Sequence, residues 1–183
     1  EDVARFLVRR DLGADVHAHY VGHLDVAGHS GAQSEIMNAK RYVNELIARV
    51  VNGSLDDTIV AVATPSGRGG LGVVRLSGPH ATSLANDLLE HSAPLVARYA
   101  TVSRIVDAGG PSVEAFDRVV ATFFPGPGSY TGDDVVEISA HGSPVLLERT
   151  VALACARGAR LAEPGEFTLR AYLNGRLDLI QAE

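Results

Sequence analysis

From Thr58 onward the chain is cut into short β-type runs by glycine turns, and helical periodicity appears only between some of those runs. That interleaving constrains the fold more than any other feature of the sequence. Residues 58–63 and 72–77 are rich in branched apolar residues and are predicted as strands. Residues 80–91 put Leu84, Leu88 and Leu89 on one helical face. Further strands are predicted at 99–107, at 117–124, which closes on Pro125-Gly126-Pro127-Gly128, and at 135–140. After Ser143, Pro144 suits the first position of a helix, where a missing N–H costs nothing, and Val145, Leu147, Val151 and Ala154 carry that helix to a stop at Gly158. A short strand at 160–162 and a helix at 166–173 complete the pattern. Strands that are adjacent as well as separated by helices predict an α+β fold, a mixed β-sheet with packed helices, rather than a doubly wound parallel sheet.

Residues 1–56 have a different texture. His17, His19, His23 and His29 lie in a stretch punctuated by Gly and Asp that reads as loop with short strands. From Ser34, the apolar residues Ile36, Met37, Val43, Leu46, Ile47, Val50 and Val51 recur at helical spacing. With Ser34 as N-cap and Asn52-Gly53 as stop, they predict an amphipathic helix at 34–51. His17 and His19 would point the same way from a strand and, with His23, could face a metal. No acidic or cysteine ligand of fixed geometry accompanies them, so they are read as surface-loop histidines and no metal is expected.

Composition narrows the class. At 183 residues, with 46% hydrophobic and 21% charged, the chain can build one core plus an appendage. No apolar run approaches the roughly 20 residues that span a bilayer. Sixteen Lys+Arg against 22 Asp+Glu give a formal charge of −6, so the chain lacks the net positive field of a stand-alone nucleic-acid binder. Cys155 is the only cysteine, which excludes an intrachain disulfide or a Cys-Cys zinc clip and points to a reducing, bacterial-type cytoplasm. The chain opens on Glu1 and closes on Ile180-Gln181-Ala182-Glu183 inside a helical pattern, so both ends are expected to be truncations of a longer protein.

Three features bear on chemistry. Gly67-Arg68-Gly69-Gly70-Leu71-Gly72 has the spacing G-x-G-x-x-G, but it leads into a β-type run and not a helix, so it reads as a turn between strands rather than a nucleotide fingerprint. Arg75 lies inside a strand on the face of Val73 and Ser77, where a guanidinium must find an acceptor or reach solvent. Glu137, flanked by Val135, Val136 and Ile138, poses the mirror-image problem. A carboxylate held this way can accept two parallel N–H bonds from an aminopyrimidinone edge, as on guanine or a pterin. Equally, each charge could be solvated at an edge, or the two could form an internal Arg–Glu pair.

Three segments carry a family resemblance: Asp57-Thr-Ile-Val-Ala-Val-Ala-Thr-Pro-Ser-Gly-Arg-Gly-Gly-Leu-Gly72, Phe124-Pro-Gly-Pro-Gly-Ser-Tyr-Thr-Gly132 and Glu163-Pro-Gly-Glu-Phe-Thr-Leu-Arg-Ala-Tyr-Leu-Asn-Gly175. Together they closely resemble the N-terminal domain of the tRNA modification GTPase family MnmE (TrmE), in the family's order. The resemblance spans 57–183, with the domain proper at 57–176 and 177–183 similar to the start of the family's central helical domain. Residues 1–56 match nothing in the family and are read as an extension of unknown role.

The resemblance implies a fold similar to the folate-binding domain of aminomethyltransferases, homodimerisation, and 5-formyltetrahydrofolate as a one-carbon donor. By motif position it carries folate contacts onto Arg75, Glu137 and Arg176. The family usually has lysine where Arg176 stands; the charge is kept, but a planar fork replaces a compact ammonium. The implied partners are an MnmG-like flavoprotein and tRNA, the latter through the full complex rather than this domain alone. Potassium, magnesium and GTP belong to a G domain that no part of these residues matches, so this stretch is not expected to hydrolyse GTP, and no catalytic residue is assigned. Cys155 reads as a small buried residue rather than the family's reactive cysteine. Two alternatives remain: a stand-alone folate-dependent aminomethyl or methyl transferase, and a dimerising scaffold without ligand.

Overall fold

Two apolar runs joined by the glycine turn form the first hairpin. In the computed structural model of the chain, which describes residues 56–90, 93–107 and 114–178, strands β1 (Ile59–Val62) and β2 (Leu71–Ser77) pair antiparallel from Ile59↔Ser77 to Val62↔Val74. Helix α1 (Ala81–Leu88) follows, then β3 (Thr101–Asp107), β4 (Glu114–Phe124), β5 (Val135–His141), helix α2 (Pro144–Ala156), β6 (Arg160–Leu161) and helix α3 (Glu166–Leu173). The six strands make one sheet in the order β3-β4-β5-β2-β1-β6. Only β1 and β6 run parallel; the other four pairings are antiparallel. The fold is therefore α+β with a mixed sheet, as the interleaving of strands and helices predicts.

Alternation along the strands sorts the sheet into two faces. Val74 and Leu76 of β2, Val119 and Ala121 of β4, and Val136, Ile138 and Ala140 of β5 are buried together with Leu84, Ala85 and Leu88 of α1 and Leu147 and Ala154 of α2. The interleaved positions Val73, Arg75, Thr122 and Glu137 are only half-buried. Helix α2 begins as expected, with Ser143 in the extended conformation at the cap and Pro144 in the first turn. It packs so closely on β2 that a Cβ on Gly72 would lie 2.4 Å from Leu147 Cδ1.

The differences from the sequence reading lie at element ends. Helix α1 stops at Leu88 because Leu89 turns extended and bridges Ile105, while the Glu90 N–H donates to the Arg104 carbonyl at 2.9 Å. The sheet edge thus captures what periodicity would have continued as helix. Strand β3 starts at Thr101 because the Tyr99 N–H closes a turn on the Val96 carbonyl. The helix expected at 34–51, the four histidines at 17–29 and residues 179–183 lie outside the described residues.

Candidate functional site

Strand register brings the two strand charges face to face. Arg75 of β2 is the direct partner of Glu137 on β5. Its Nε donates to Glu137 Oε1 at 2.9 Å and its Nη2 approaches the same oxygen at 2.7 Å. Both donors therefore use one oxygen, and among the described residues Oε2 accepts no bond. The two side chains are 22% and 29% exposed, so the pair is only partly buried. Tyr130 and Phe167 flank the guanidinium, with ring centroids 4.9 and 5.4 Å from Cζ. At these distances the cation is held by both ring faces as well as by the carboxylate.

Tyr130 comes from the loop 125–134, which is folded on itself and then clasped by the end of α3. Ser129 Oγ donates to the Asp133 carbonyl and accepts the Gly132 N–H at 3.0 Å. Ser77 and Thr131 hydroxyls meet at 2.7 Å, tying the loop to the end of β2. From α3, Tyr130 Oη and Thr168 Oγ1 lie 3.1 Å apart, and Asn174 Nδ2 donates to the Thr131 carbonyl at 2.8 Å and to Asp133 Oδ1 at 3.1 Å. Arg176, exposed, donates from Nε to the Ser129 carbonyl at 3.2 Å. The structure thus brings Arg75 and Glu137 together and sets Arg176 against the loop that carries Tyr130 instead of against the pair itself.

A third arrangement escapes local sequence reasoning. Arg170, 1% exposed, reaches Asp57 Oδ1 at 2.5 Å, Glu166 Oε1 at 3.3 Å and Asp133 Oδ2 at 3.7 Å. Arg160 bridges Asp57 at 2.5 Å and Glu166 at 2.5 Å. Burial pushes the carboxyl groups of Asp57 and Glu166 up, but the hydrogen bonds and positive charge of Arg160 and Arg170, joined at Glu166 by the Glu163 N–H, together outweigh it and hold both below their ordinary values. Asp133 goes the other way: there burial outweighs the help of Arg170 and Asn174, and its pKa is raised. The network ties α3 to the start of β1 and to the loop. The only local signal for it was the Glu166, Arg170 spacing of four on one helix.

With this geometry in view, residues 58–176 match the family described as GTP-binding protein TrmE N-terminus. The chain belongs to that family. Over 133 residues it is 58% identical to the tRNA modification GTPase MnmE of Koribacter versatilis, covering 71% of this chain and 29% of that protein. The proteins of the same name from Chromohalobacter salexigens and Legionella pneumophila strain Corby are each 51% identical over 69% of this chain, and 27% and 28% of their own lengths. The chain thus spans little more than a quarter of these relatives.

Other polar groups of the TrmE N-terminal domain sit apart from the Arg75–Glu137 pair. Asp117, whose side chain is 4% exposed, accepts the His141 ring Nδ1 at 2.6 Å, the His141 backbone N–H at 3.1 Å and the Arg118 N–H at 2.8 Å. It closes the end of the β5 ladder. The glycine turn leads into strand β2, and its Gly69 N–H donates to the Gly142 carbonyl at 2.9 Å; it carries no helix N-terminus for a pyrophosphate. Cys155 packs half-buried against the core, and burial raises its pKa, which makes it a poor nucleophile. Among the described residues no His, Cys, Asp and Glu cluster is arranged to hold a metal, and no helix is long and apolar enough to cross a membrane.

Proposed function

We propose that residues 57–176 are the folate-binding domain of a protein that modifies C5 of the wobble uridine of tRNA, and that they bind 5-formyltetrahydrofolate and pair with a second copy of the chain. The observation that carries this reading is Glu137: a half-exposed carboxylate in mid-strand, with Oε2 open and two aromatic faces beside its arginine partner. In this reading Oε2 accepts an N–H from the aminopyrimidinone edge of the pterin. Arg75 and Arg176 donate to carbonyl, formyl or glutamate oxygens, and Tyr130 and Phe167 wall the slot. Because Arg75 spends both donors on Oε1, paired acceptance by both carboxylate oxygens requires Arg75 to yield that atom to the ligand. When bound, the folate supplies a one-carbon unit at the formyl level.

The name of the relatives, tRNA modification GTPase, supports the tRNA part of this reading; the wider proposal adds a fold akin to the folate-binding domain of aminomethyltransferases and a whole protein that works in the cytoplasm with an MnmG-like flavoprotein and tRNA. GTP, potassium and magnesium are then the business of a G domain outside these residues. A calorimetric titration of the chain with 5-formyltetrahydrofolate, with GTP as control and light scattering on the same sample, tests it. Saturable heat from folate in a dimer, and none from GTP, is the expected result. A folded sample that gives no folate heat would favour a dimerising scaffold, a reading supported by the way Arg75 and Glu137 already satisfy each other's charge.

A further inference from the structure

Helix α3 ends on Asn174, an exposed residue whose side chain is nevertheless committed. Its Nδ2 donates to the Thr131 carbonyl at 2.8 Å and to Asp133 Oδ1 at 3.1 Å. Both partners can only accept, so just one orientation of the amide makes these bonds. Between the two partners Gly132 adopts φ 87°, and a Cβ there would lie 2.7 Å from Asn174 Cβ. The loop backbone therefore rests directly on this side chain. Asp133 is also reached by the buried Arg170 at 3.7 Å, and Arg176 holds the Ser129 carbonyl. One helix end thus grips three carbonyl or carboxylate groups on either side of Tyr130, the residue that stands over the Arg75 guanidinium.

We infer that Asn174 is a positioning residue: it fixes the loop 129–134 so that Tyr130 stays over Arg75 and the Glu137 carboxylate keeps an open, walled face for a ligand. It acts through the loop and touches no ligand itself. The inference takes its ligand from the folate reading above, but its geometry stands without it. The helix cap does not depend on the side chain, because backbone groups make the capping bonds: the Asn174 N–H donates to the Arg170 carbonyl at 2.9 Å and the Gly175 N–H to the Tyr172 carbonyl at 3.0 Å. Substitution at this exposed position therefore leaves the helix intact and isolates the grip on the loop.

The test uses Asn174→Ala and Asn174→Asp in the full 183-residue chain. The first removes the amide; the second keeps its shape but replaces the donor with an acceptor facing the Asp133 carboxylate. Hydrogen exchange at the Gly132 and Asp133 amides is expected to rise about tenfold or more in both, with Asn174→Asp at least as affected as Asn174→Ala. The thermal midpoint should stay near that of the parent chain, whereas a merely structural role would move it. Affinity for 5-formyltetrahydrofolate, measured calorimetrically, should fall about tenfold. Unchanged loop exchange in both variants overturns the inference, and so does an effect confined to Asn174→Ala, which would mean packing rather than donation. Faster exchange with undiminished folate affinity also overturns it, since the loop would then not position the site. If exchange rises but the parent chain itself gives no folate heat, the grip on the loop is upheld and it is the folate reading that fails.

Discussion

An arginine in mid-strand has to be neutralised within the sheet or reach water, and that requirement made Arg75 visible in the sequence, as it did Glu137. What the sequence left open was whether each charge met the other or a ligand. Register answers the first half: the two are direct cross-strand partners. It could not be read locally, because the positions are 62 residues apart and their meeting depends on β2 lying next to β5. Glu137→Gln keeps the size of the side chain but removes its charge. In the ligand-free chain this should cost about 1 kcal/mol, the scale of a cross-strand charge pair, visible as a small drop in the urea midpoint. Under the folate proposal, affinity for 5-formyltetrahydrofolate should fall at least about tenfold, because a neutral amide offers one acceptor in place of a charged one. Equal folate titrations for parent and variant would remove Glu137 from the site. Tyr130 and Phe167 were present in the motif segments, but nothing in their spacing said that both would flank one guanidinium.

At the scale of elements, starts were more legible than ends. Pro144 announces α2 through its own backbone chemistry, and that helix begins where expected. Helix α1 ends early because the chain after it is drawn into an isolated bridge with Ile105, a tertiary event with no local mark. Contact between elements is sharpest where α2 crosses β2 at Gly72. There a Cβ would meet Leu147 Cδ1 at 2.4 Å and Cδ2 at 2.9 Å, and Leu147 is 5% exposed, with little room to move. Gly72→Ala should therefore destabilise by about 1–3 kcal/mol through overpacking. Leu147→Ala alone should cost about 2–5 kcal/mol for the cavity it leaves. Combined, the two changes should cost clearly less than their sum, because each relieves the other; strict additivity in denaturant melts would mean that α2 shifts as a body instead. Helix α3 depends on a different contact. Arg170 is buried against Asp57 and Glu166, so Arg170→Met removes one of the two cations that pair with these carboxylates and should cost about 1–3 kcal/mol in the same melts.

Across the described unit, the fold class was legible because it derives from the order of periodicities, but the neighbours in the sheet were not. Strand β6 beside β1, and Arg170 beside Asp57 across 113 residues, are long-range meetings that no window of sequence records. They nevertheless govern how the unit responds to acid. Asp57 and Glu166 have folded-state pKa values below their ordinary 3.8 and 4.5, so their contribution to stability is complete above those values and is lost as the pH falls through the depressed ones. Asp133 has its pKa raised above 3.8 by burial, so its ionised form weighs against the folded state, and protonation relieves that cost as the pH falls through the raised value toward 3.8. Two carboxyl groups oppose one. The urea midpoint should fall as the pH drops below the ordinary values of Glu166 and Asp57, with protonation of Asp133 offsetting part of the loss. Arg170→Met should flatten the drop, because it removes one of the two cations that hold those carboxyl groups ionised, while Arg160 retains the other share. A variant as acid-sensitive as the parent chain would show that Arg160 alone holds both carboxylates, and that Arg170 stabilises α3 through packing rather than charge.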